Sequence, residues 1–231
     1  MVSVIIACTE EPTECLSHLK SLKPKPQIIV VNSDGSPGSK RDFGADKAKG
    51  DILAFIDADA YPDRDWIKEA LIIFKKYPKI VAVGGPGITP PQDSVAQKIS
   101  GLIYESTPIG YRYKPQLPKF VSELPSCNLF IRKKVFDKIG GFNCNIYPGE
   151  DSLLCKKLLK YGKILYTPTV IVYHHRREFP WGHLNQVFRY GKMRGTLLVG
   201  QVVTYLTYLG GLCVSCMCQT VIHSKGKEKR K

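Results

Sequence analysis

The stretch Gly50-Asp51-Ile52-Leu53-Ala54-Phe55-Ile56-Asp57-Ala58-Asp59 predicts a buried strand that ends in two carboxylates. Its middle is a short apolar run of the kind found in strands that are covered on both faces. Residues two apart on an extended chain point to the same side, so Asp57 and Asp59 face one spot. Open α/β sheets bind their ligands at the carboxyl ends of their strands. Mg²⁺ or Mn²⁺ would find carboxylate ligands there, as a diphosphate-binding site requires.

Other segments predict the sheet to which this strand belongs. Apolar runs at residues 2–8 and 27–31 indicate two more parallel strands, and the Leu residues between them recur at helical spacing. A right-handed βαβ unit follows. Further predicted elements are a helix from Pro62-Asp63, strands at 80–84, 127–131 and 170–173, and helices at 133–139 and from Glu150 to Gly162. We expect an α/β domain with an open, mixed, mostly parallel sheet flanked by helices.

The region from Gly85 to Leu124 lacks a clear period. It is rich in Pro, Gly, Tyr and Ser, which is typical of loops. The sequence therefore predicts loops that cover a site in this region.

Positive charge is concentrated toward the C-terminus. The formal net charge is +14, and residues 175–231 hold ten Lys or Arg against two acids. Such a region attracts either nucleic-acid phosphates or anionic lipid head groups. The basic residues flank an apolar run and do not interleave with aromatic side chains as in nucleic-acid surfaces. We therefore expect a membrane surface as a partner, and no nucleic acid.

The apolar run from Gly195 to Ser224 contains no Asp, Glu, Lys or Arg. It is long enough to cross a bilayer, but Gln, Thr and Gly dilute it, and an interfacial segment or a buried core helix fits as well. We expect a catalytic domain over residues 1–195, a membrane-associated or transmembrane segment over 196–224 and a basic tail over 225–231. Because a strand-like run begins at Val2, no signal peptide is predicted, and we expect the cytoplasmic face of a membrane.

Five motifs follow one another in order along the chain. They are Val30-Val31-Asn32-Ser33-Asp34-Gly35-Ser36, Lys40-Arg41-Asp42-Phe43-Gly44-Ala45, the stretch Gly50 to Asp59, Gly140-Gly141-Phe142 and Gly149-Glu150-Asp151. In this order and spacing the chain resembles the family 2 inverting glycosyltransferases, from Val2 to about Gly195. The resemblance implies a GT-A fold and transfer of a sugar from a nucleoside-diphosphate sugar to a hydroxyl acceptor, either a glycan or a lipid-linked molecule.

The resemblance also implies roles on the donor side. Asp34 is similar to the carboxylate that reads the nucleobase, and Asn32-Ser33 before it departs from the usual pattern, which leaves the base open. Asp57 resembles a ribose or metal contact, and Asp59 the ligand of Mg²⁺ or Mn²⁺. Lys40 and Arg41 are candidates to help neutralise the diphosphate. The full set of candidate donor-binding residues is Thr9, Glu11, Asp34, Lys40, Arg41, Asp57, Ala58 and Arg189, the last from the motif Gln186-Val187-Phe188-Arg189-Tyr190.

On the acceptor side, Asp151 resembles the general base, and Glu150 would help to position the acceptor. An inverting displacement needs one such base and no nucleophile. His174 resembles a histidine that completes the metal shell. Neighbours on a strand point to opposite sides, so one of the two adjacent histidines must point away and could be structural; we choose His174 over His175 as the ligand.

Two other functions stay open. A nucleotidyltransferase usually has a Gly-rich phosphate loop near its first strand, and the sequence has none between Val2 and Leu22. A catalytically inactive membrane protein that binds nucleotide sugars would not need Asp57, Asp59 and Asp151 together.

Overall fold

The computed structural model describes residues 1–143 and 147–198. The chain divides into two compact units, Met1–Met193 and Arg194–Lys231, and the features below belong to the first unit apart from the end of the last helix. The strands are β1 (Val2–Ala7), β2 (Gln27–Val31), β3 (Ile52–Asp57), β4 (Ala60–Pro62), β5 (Ile80–Gly84), β6 (Gly87–Ile88), β7 (Lys119–Val121), β8 (Asn128–Arg132), β9 (Lys163–Tyr166) and β10 (Val172–His174). The α-helices are α1 (Thr13–Ser21), α2 (Pro37–Asp46), α3 (Trp66–Lys76), α4 (Val95–Glu105), α5 (Lys133–Lys138), α6 (Glu150–Leu158) and α7 (Trp181–Leu198).

The main sheet has the strand order β2-β1-β3-β8-β5-β9-β7. Strands β2, β1 and β3 run parallel to one another, and β5 and β9 form a second parallel pair. Strand β8 is antiparallel to both β3 and β5, and β7 is antiparallel to β9. The predicted mixed α/β sheet is confirmed.

The central strand β3 is buried on both faces, as its sequence predicts. Ile52, Ala54 and Ile56 belong to one hydrophobic cluster, whereas Leu53 and Phe55 belong to a second cluster on the other face. Each such Leu, Ile or Phe side chain contributes about 1.5–3 kcal/mol through burial. The strand is therefore firmly held, and its polar end is placed at the edge of the sheet.

A small second sheet brings the last strand to the end of β3. Its order is β4-β10-β6, and β10 pairs antiparallel with β4 so that His174 lies opposite Ala60. Asp59 directly precedes β4. This register places His174 beside Asp59, although 115 positions separate the two residues.

Some elements differ from the sequence-based expectations. The last strand is Val172–His174 instead of 170–173, and α6 ends at Leu158 instead of Gly162. The prediction of loops over residues 85–124 was wrong for α4, which begins with a capping box: the Ser94 hydroxyl accepts from the Gln97 backbone, and the Gln97 side chain accepts from the Ser94 N–H. The short strands β6 and β7 also lie in this region.

The described helices bear only partly on the membrane prediction. Within residues 1–143 and 147–198, no helix combines the length and the apolar character that crossing a membrane requires. Apart from the end of α7, the predicted membrane-associated segment 196–224 and the basic tail 225–231 lie outside the described residues.

Candidate active site

Two carboxylates and one imidazole meet at the carboxyl end of β3. The ligand atoms of Asp57, Asp59 and His174 lie within 4.8 Å of one another. Carboxylates suit Mg²⁺ or Mn²⁺, and an imidazole nitrogen is compatible with Mn²⁺. The structure thus brings the predicted ligand set together, and the donor atoms fit a divalent cation.

His174 and Asp59 interact directly. The Nε2 atom of His174 lies 3.2 Å from Oδ1 of Asp59. Burial favours the neutral imidazole, but hydrogen bonds with Asp59 and Cys127 outweigh burial and raise the pKa of His174 to about 10. Burial also disfavours the charged form of Asp59, yet His174 and Arg177 lower the pKa of this carboxyl to about 2. A divalent cation bound at Nε2 would take the place of the proton that His174 shares with Asp59.

Arg176 holds the other side of the His174 ring. This side chain is buried, and its Nη1 atom lies 3.2 Å from Nδ1 of His174. It also donates to the carbonyl of Gly87 and to the Thr89 hydroxyl. A neutral ring that binds a metal through Nε2 carries its proton on Nδ1, which then cannot accept a hydrogen bond. Metal binding in this mode would therefore require Arg176 to release Nδ1.

Arg41 joins the cation site to the start of α6. Its Nη2 atom lies 2.8 Å from Oδ1 of Asp57, and its Nη1 atom lies 3.1 Å from Oε1 of Glu150. Burial opposes the charge on Arg41, but the carboxylates of Asp57, Asp151 and Glu150 outweigh it and raise the pKa of the guanidinium. The rigid guanidinium fork therefore fixes the spacing between the two halves of the site.

Asp151 lies in the first turn of α6. Gly149, with a φ of 118° that favours glycine, turns the chain into this helix. The Oδ2 atom of Asp151 accepts from the Ser126 backbone N–H at 3.0 Å, whereas Oδ1 is buried without a hydrogen-bond partner among the described residues. Burial raises the pKa, Arg41 lowers it and Glu150 raises it, and the result is about 6, above the usual 3.8. A general base needs such a raised pKa and an available oxygen.

Lys40, Arg41 and Glu150 are all bonded inside the protein. Lys40 is buried and donates to the Cys8 carbonyl at 2.7 Å. Arg41 and Glu150 are buried as well and bond to each other. Lys40 therefore supports the loop after β1, while Arg41 and Glu150 support each other and Asp57. Direct contact of Lys40 or Arg41 with a diphosphate, and of Glu150 with an acceptor, stays a prediction.

The candidate nucleotide-binding residues surround the same edge of the sheet. Thr9 and Glu11 follow β1 and are exposed, and Asp34 follows β2 and is exposed. The ends of β1, β2 and β3 are aligned, because Ala7 pairs with both Val31 and Asp57. Ala58, between the two metal-site carboxylates, is half-buried against the core. The geometry is consistent with nucleotide binding in these loops.

Helix α7 approaches the Asp151 side of the site. The guanidinium of Arg189 lies 5.5 Å from the ring centre of Tyr147. Burial, Tyr147 and the carboxylate of Asp151 raise the pKa of the Tyr190 hydroxyl. Arg189 and Tyr190 belong to the motif Gln186-Val187-Phe188-Arg189-Tyr190 found in the sequence, whereas Tyr147 was not singled out, because only the fold brings α7 to it.

His175 points away from the cation site and forms a separate bridge. Its Nδ1 atom lies 2.5 Å from Oδ1 of Asp93, and its Nε2 atom lies 2.9 Å from Oε2 of Glu14. Glu14 lies in the first turn of α1, directly after the loop that follows β1. The bridge therefore links this loop to the strand that carries His174. Sequence analysis missed Glu14 and Asp93, because their partner is 161 and 82 positions away.

Comparisons with known proteins agree with the resemblance in sequence. The family model described as "Glycosyl transferase family 2" matches residues 3–140. The pre-mycofactocin glycosyltransferase of Mycobacterium tuberculosis is 31% identical over 146 residues, which cover 61% of this chain and 30% of that protein. The dolichyl N-acetyl-alpha-D-glucosaminyl phosphate 3-beta-D-2,3-diacetamido-2,3-dideoxy-beta-D-glucuronosyltransferase of Methanococcus voltae is 26% identical over 162 residues, covering 67% of this chain and 50% of that protein. The chain thus matches half or less of the length of these two relatives.

A solved structure shows the same fold. The mannosyltransferase PcManGT from Pyrobaculum calidifontis, in complex with GDP-Man and Mn²⁺, superimposes with a TM-score of 0.57 at 15% identity. The match covers 88% of this chain and 65% of that one. At this level of identity the likeness concerns the fold, and it confirms the predicted GT-A type.

Proposed function

The chain belongs to glycosyl transferase family 2, and we propose that it moves a sugar from a nucleoside-diphosphate sugar to a hydroxyl acceptor with inversion at the sugar carbon. One observation supports the proposal: at the same edge of the sheet, the carboxylates of Asp57 and Asp59 lie with a histidine, and the carboxylate of Asp151 lies apart from them. Asp57 and Asp59 share a cation site with His174, while Asp151 lies across the Arg41 bridge. The arrangement separates binding of the leaving group from removal of the acceptor proton.

The first half of the site binds the donor. Asp57, Asp59 and His174 would hold Mg²⁺ or Mn²⁺, and the Mn²⁺ bound by PcManGT supports this choice of metal. When bound, the cation neutralises the negative charge of the leaving nucleoside diphosphate. The loops after β1 and β2, with Thr9, Glu11 and Asp34, are placed to contact the nucleoside.

The second half activates the acceptor. Asp151 accepts the proton of the acceptor hydroxyl, and the oxygen attacks the anomeric carbon while the bond from that carbon to the diphosphate breaks. Attack from the face opposite the leaving group inverts the configuration in one displacement, so no covalent sugar–protein intermediate forms. Arg41 and Glu150 hold the start of α6, and with it Asp151, at a fixed place relative to Asp57.

We further propose a lipid-linked acceptor at the cytoplasmic face of a membrane, with a soluble glycan as the alternative acceptor. The Methanococcus voltae relative is named for a dolichyl-linked sugar phosphate. In this chain, the uncharged run from Gly195 to Ser224 and the basic residues after it support attraction to an anionic bilayer.

A panel of nucleotide sugars tests this function. Release of nucleoside diphosphate should occur with one donor class, should require Mn²⁺ or Mg²⁺ and should be lost in Asp59→Ala. Metal-dependent donor binding without turnover on any acceptor would instead indicate the inactive binding protein. Release of pyrophosphate from a nucleoside triphosphate and a sugar phosphate would indicate the nucleotidyltransferase. The family and the names of the matched relatives favour the transferase over both.

A further inference from the structure

Helices α4 and α7 carry apolar side chains on faces that point to solvent. On each helix these residues are spaced by three, four or seven positions, which places them on one face. We call them together the α4–α7 surface: Val95, Ile99 and Leu102 on α4, and Trp181, Leu184 and Phe188 on α7. Their exposed fractions range from 38% for Ile99 to 80% for Trp181.

The faces of α4 and α7 that lie opposite these apolar residues are held by contacts within the protein. The Tyr104 hydroxyl donates to Oε1 of Gln186 at 3.2 Å, and the Tyr104 ring lies 4.8 Å from the ring of His183. The segment that leads into α7 is tied to α4 by the bond from the Phe179 backbone N–H to the Ala96 carbonyl. These contacts tie α7 and the segment before it to α4, and the apolar residues of each helix lie on its opposite, exposed face.

An ordinary surface helix buries its apolar residues and exposes its polar ones, whereas α4 and α7 expose apolar residues. Helix α3 shows the usual pattern, because Trp66, Ile67 and Phe74 are buried and the lysines of its last turn are exposed. On α4 the buried residues are instead the small Ser100 and Gly101. Helix faces on which several large apolar side chains are exposed mark places where a protein meets a partner.

We propose that the α4–α7 surface is the face with which the protein lies on an anionic membrane. Trp181 and Phe188 beside aliphatic residues are typical of helices that lie in a membrane interface. The exposed cations Lys98, Arg177 and Arg189 are near these residues in the chain and complement anionic head groups. A second copy of the chain would bring the same positive charges together, which disfavours self-association through this face.

Two further observations support the membrane as the partner. They are the sequence that follows α7 and the position of α7 near the candidate active site. Helix α7 leads directly into the uncharged run from Gly195 to Ser224, which is followed by basic residues. The helix also carries Arg189, whose guanidinium lies 5.5 Å from the ring centre of Tyr147 in the segment that leads into α6 and Asp151. The membrane-bound face would therefore bring the general base close to a lipid-linked acceptor, and this part of the inference rests on the proposed function.

Tryptophan emission tests the surface in the full chain. The sequence has two Trp residues, and Trp66 is fully buried and bonded to Asn128, so only Trp181 can respond to lipid contact. Mixed phosphatidylcholine and phosphatidylglycerol vesicles should shift the emission of Trp181 to shorter wavelength, and brominated acyl chains should quench it. An unchanged emission overturns the proposal, whether the protein floats with the vesicles through its tail or does not bind them. A vesicle-independent shift that rises with protein concentration, together with a dimer in light scattering, assigns the surface to a second copy.

Charge substitutions provide the second arm. Leu102→Glu and Phe188→Glu should each weaken vesicle partition about 10-fold, because each removes apolar burial and adds a negative charge near anionic lipid. Ile72→Glu, at a half-exposed position of α3, is the matched control and should partition like the parent. Equal partition of all three variants overturns the proposal. Asp59→Ala should bind vesicles like the parent even though it loses turnover, so failure of the proposed function and failure of the membrane surface are distinguishable.

Discussion

Asp59 and Asp151 are the same residue type in two regions of one site, and their surroundings give them opposite acid strengths. Burial opposes the charge on both. For Asp59, His174 and Arg177 outweigh burial and lower the pKa to about 2. For Asp151, burial and Glu150 outweigh Arg41 and raise the pKa to about 6. The comparison teaches that the nearest charged neighbours decide which carboxylate stays an anion for a cation and which can take up a proton.

The two regions also differ in exposure and in how they are joined. The side chain of Asp59 is 45% exposed, whereas the free oxygen of Asp151 is buried. Arg41 bonds to Asp57 on one side and to Glu150, the neighbour of Asp151, on the other. A change that keeps Arg41 and its partners Asp57 and Glu150 should therefore affect one region and leave the other intact.

The largest effect is expected for Asp151→Asn. The amide keeps the shape of the side chain but cannot accept the acceptor proton, so kcat should fall by about 10²–10⁴-fold. Steady-state transfer assays with saturating donor measure this loss. Asp151→Glu, which retains a carboxylate, is the matched variant and should keep more activity than the amide. Normal transfer by Asp151→Asn would show that the base lies elsewhere.

Asp59→Ala should lower metal-dependent turnover by about 10²–10³-fold, because it removes a ligand of the cation that neutralises the leaving group. Titration with Mn²⁺ during the assay measures the effect. Asp65→Ala removes an exposed carboxylate in the loop before α3 and serves as the control, with activity close to that of the parent. Full recovery of Asp59→Ala at high Mn²⁺ contradicts the assignment of this ligand.

Arg41→Met should destabilise the fold by about 3–5 kcal/mol, because it leaves Glu150 buried without its ionic partner. Denaturant unfolding of the domain gives this free energy. Arg64→Met, at an exposed position in the loop before α3, should change stability little. If both arginine variants unfold at the same denaturant concentration, the Arg41 bridge does not connect the two regions energetically.

The smallest expected effect is a change of activity and of stability with pH that comes from Asp151 and not from Asp59. Because Asp151 must be deprotonated to act, kcat/KM should fall about 10-fold per pH unit below about 6 and level off above it. Stability should change in the opposite direction: the raised pKa means that the folded state binds the proton more tightly, so stability is lost as pH rises from the usual 3.8 to about 6. In Asp151→Asn this part of the pH dependence of unfolding should disappear. A parent profile without a break near 6 would contradict the raised pKa.

The sequence predicted the half of the site that is contiguous in the chain. Asp57 and Asp59 follow an apolar strand, so their placement needs only local geometry, and the motif Gly149-Glu150-Asp151 precedes a regular helix. Alternation along a strand implied that only one of His174 and His175 reaches the site, but it did not decide which of the two. The structure places Asp57, Asp59 and His174 together as expected.

The rest of the site depends on contacts that no local pattern encodes. Arg41 and Glu150 lie 109 positions apart in the chain. The sequence suggested that Arg41 contacts the donor and Glu150 the acceptor, whereas in the fold both side chains are buried and bond to each other. Helix α4 was missed although Val95, Ile99 and Leu102 recur at helical spacing, because this short period lies within a long stretch rich in Pro, Gly, Tyr and Ser. The capping box Ser94 to Gln97 was the local signal that could have revealed its start.

Calorimetric titration of the two aspartate variants with the nucleotide sugar in Mn²⁺ tests the division of labour between Asp59 and Asp151 most directly. Asp151→Asn should bind the donor with the affinity of the parent and show the same dependence on Mn²⁺, while it transfers almost no sugar. Asp59→Ala should lose the Mn²⁺-dependent part of donor binding. The opposite outcome, with donor binding lost in Asp151→Asn and retained in Asp59→Ala, would contradict the assignment of the two carboxylates.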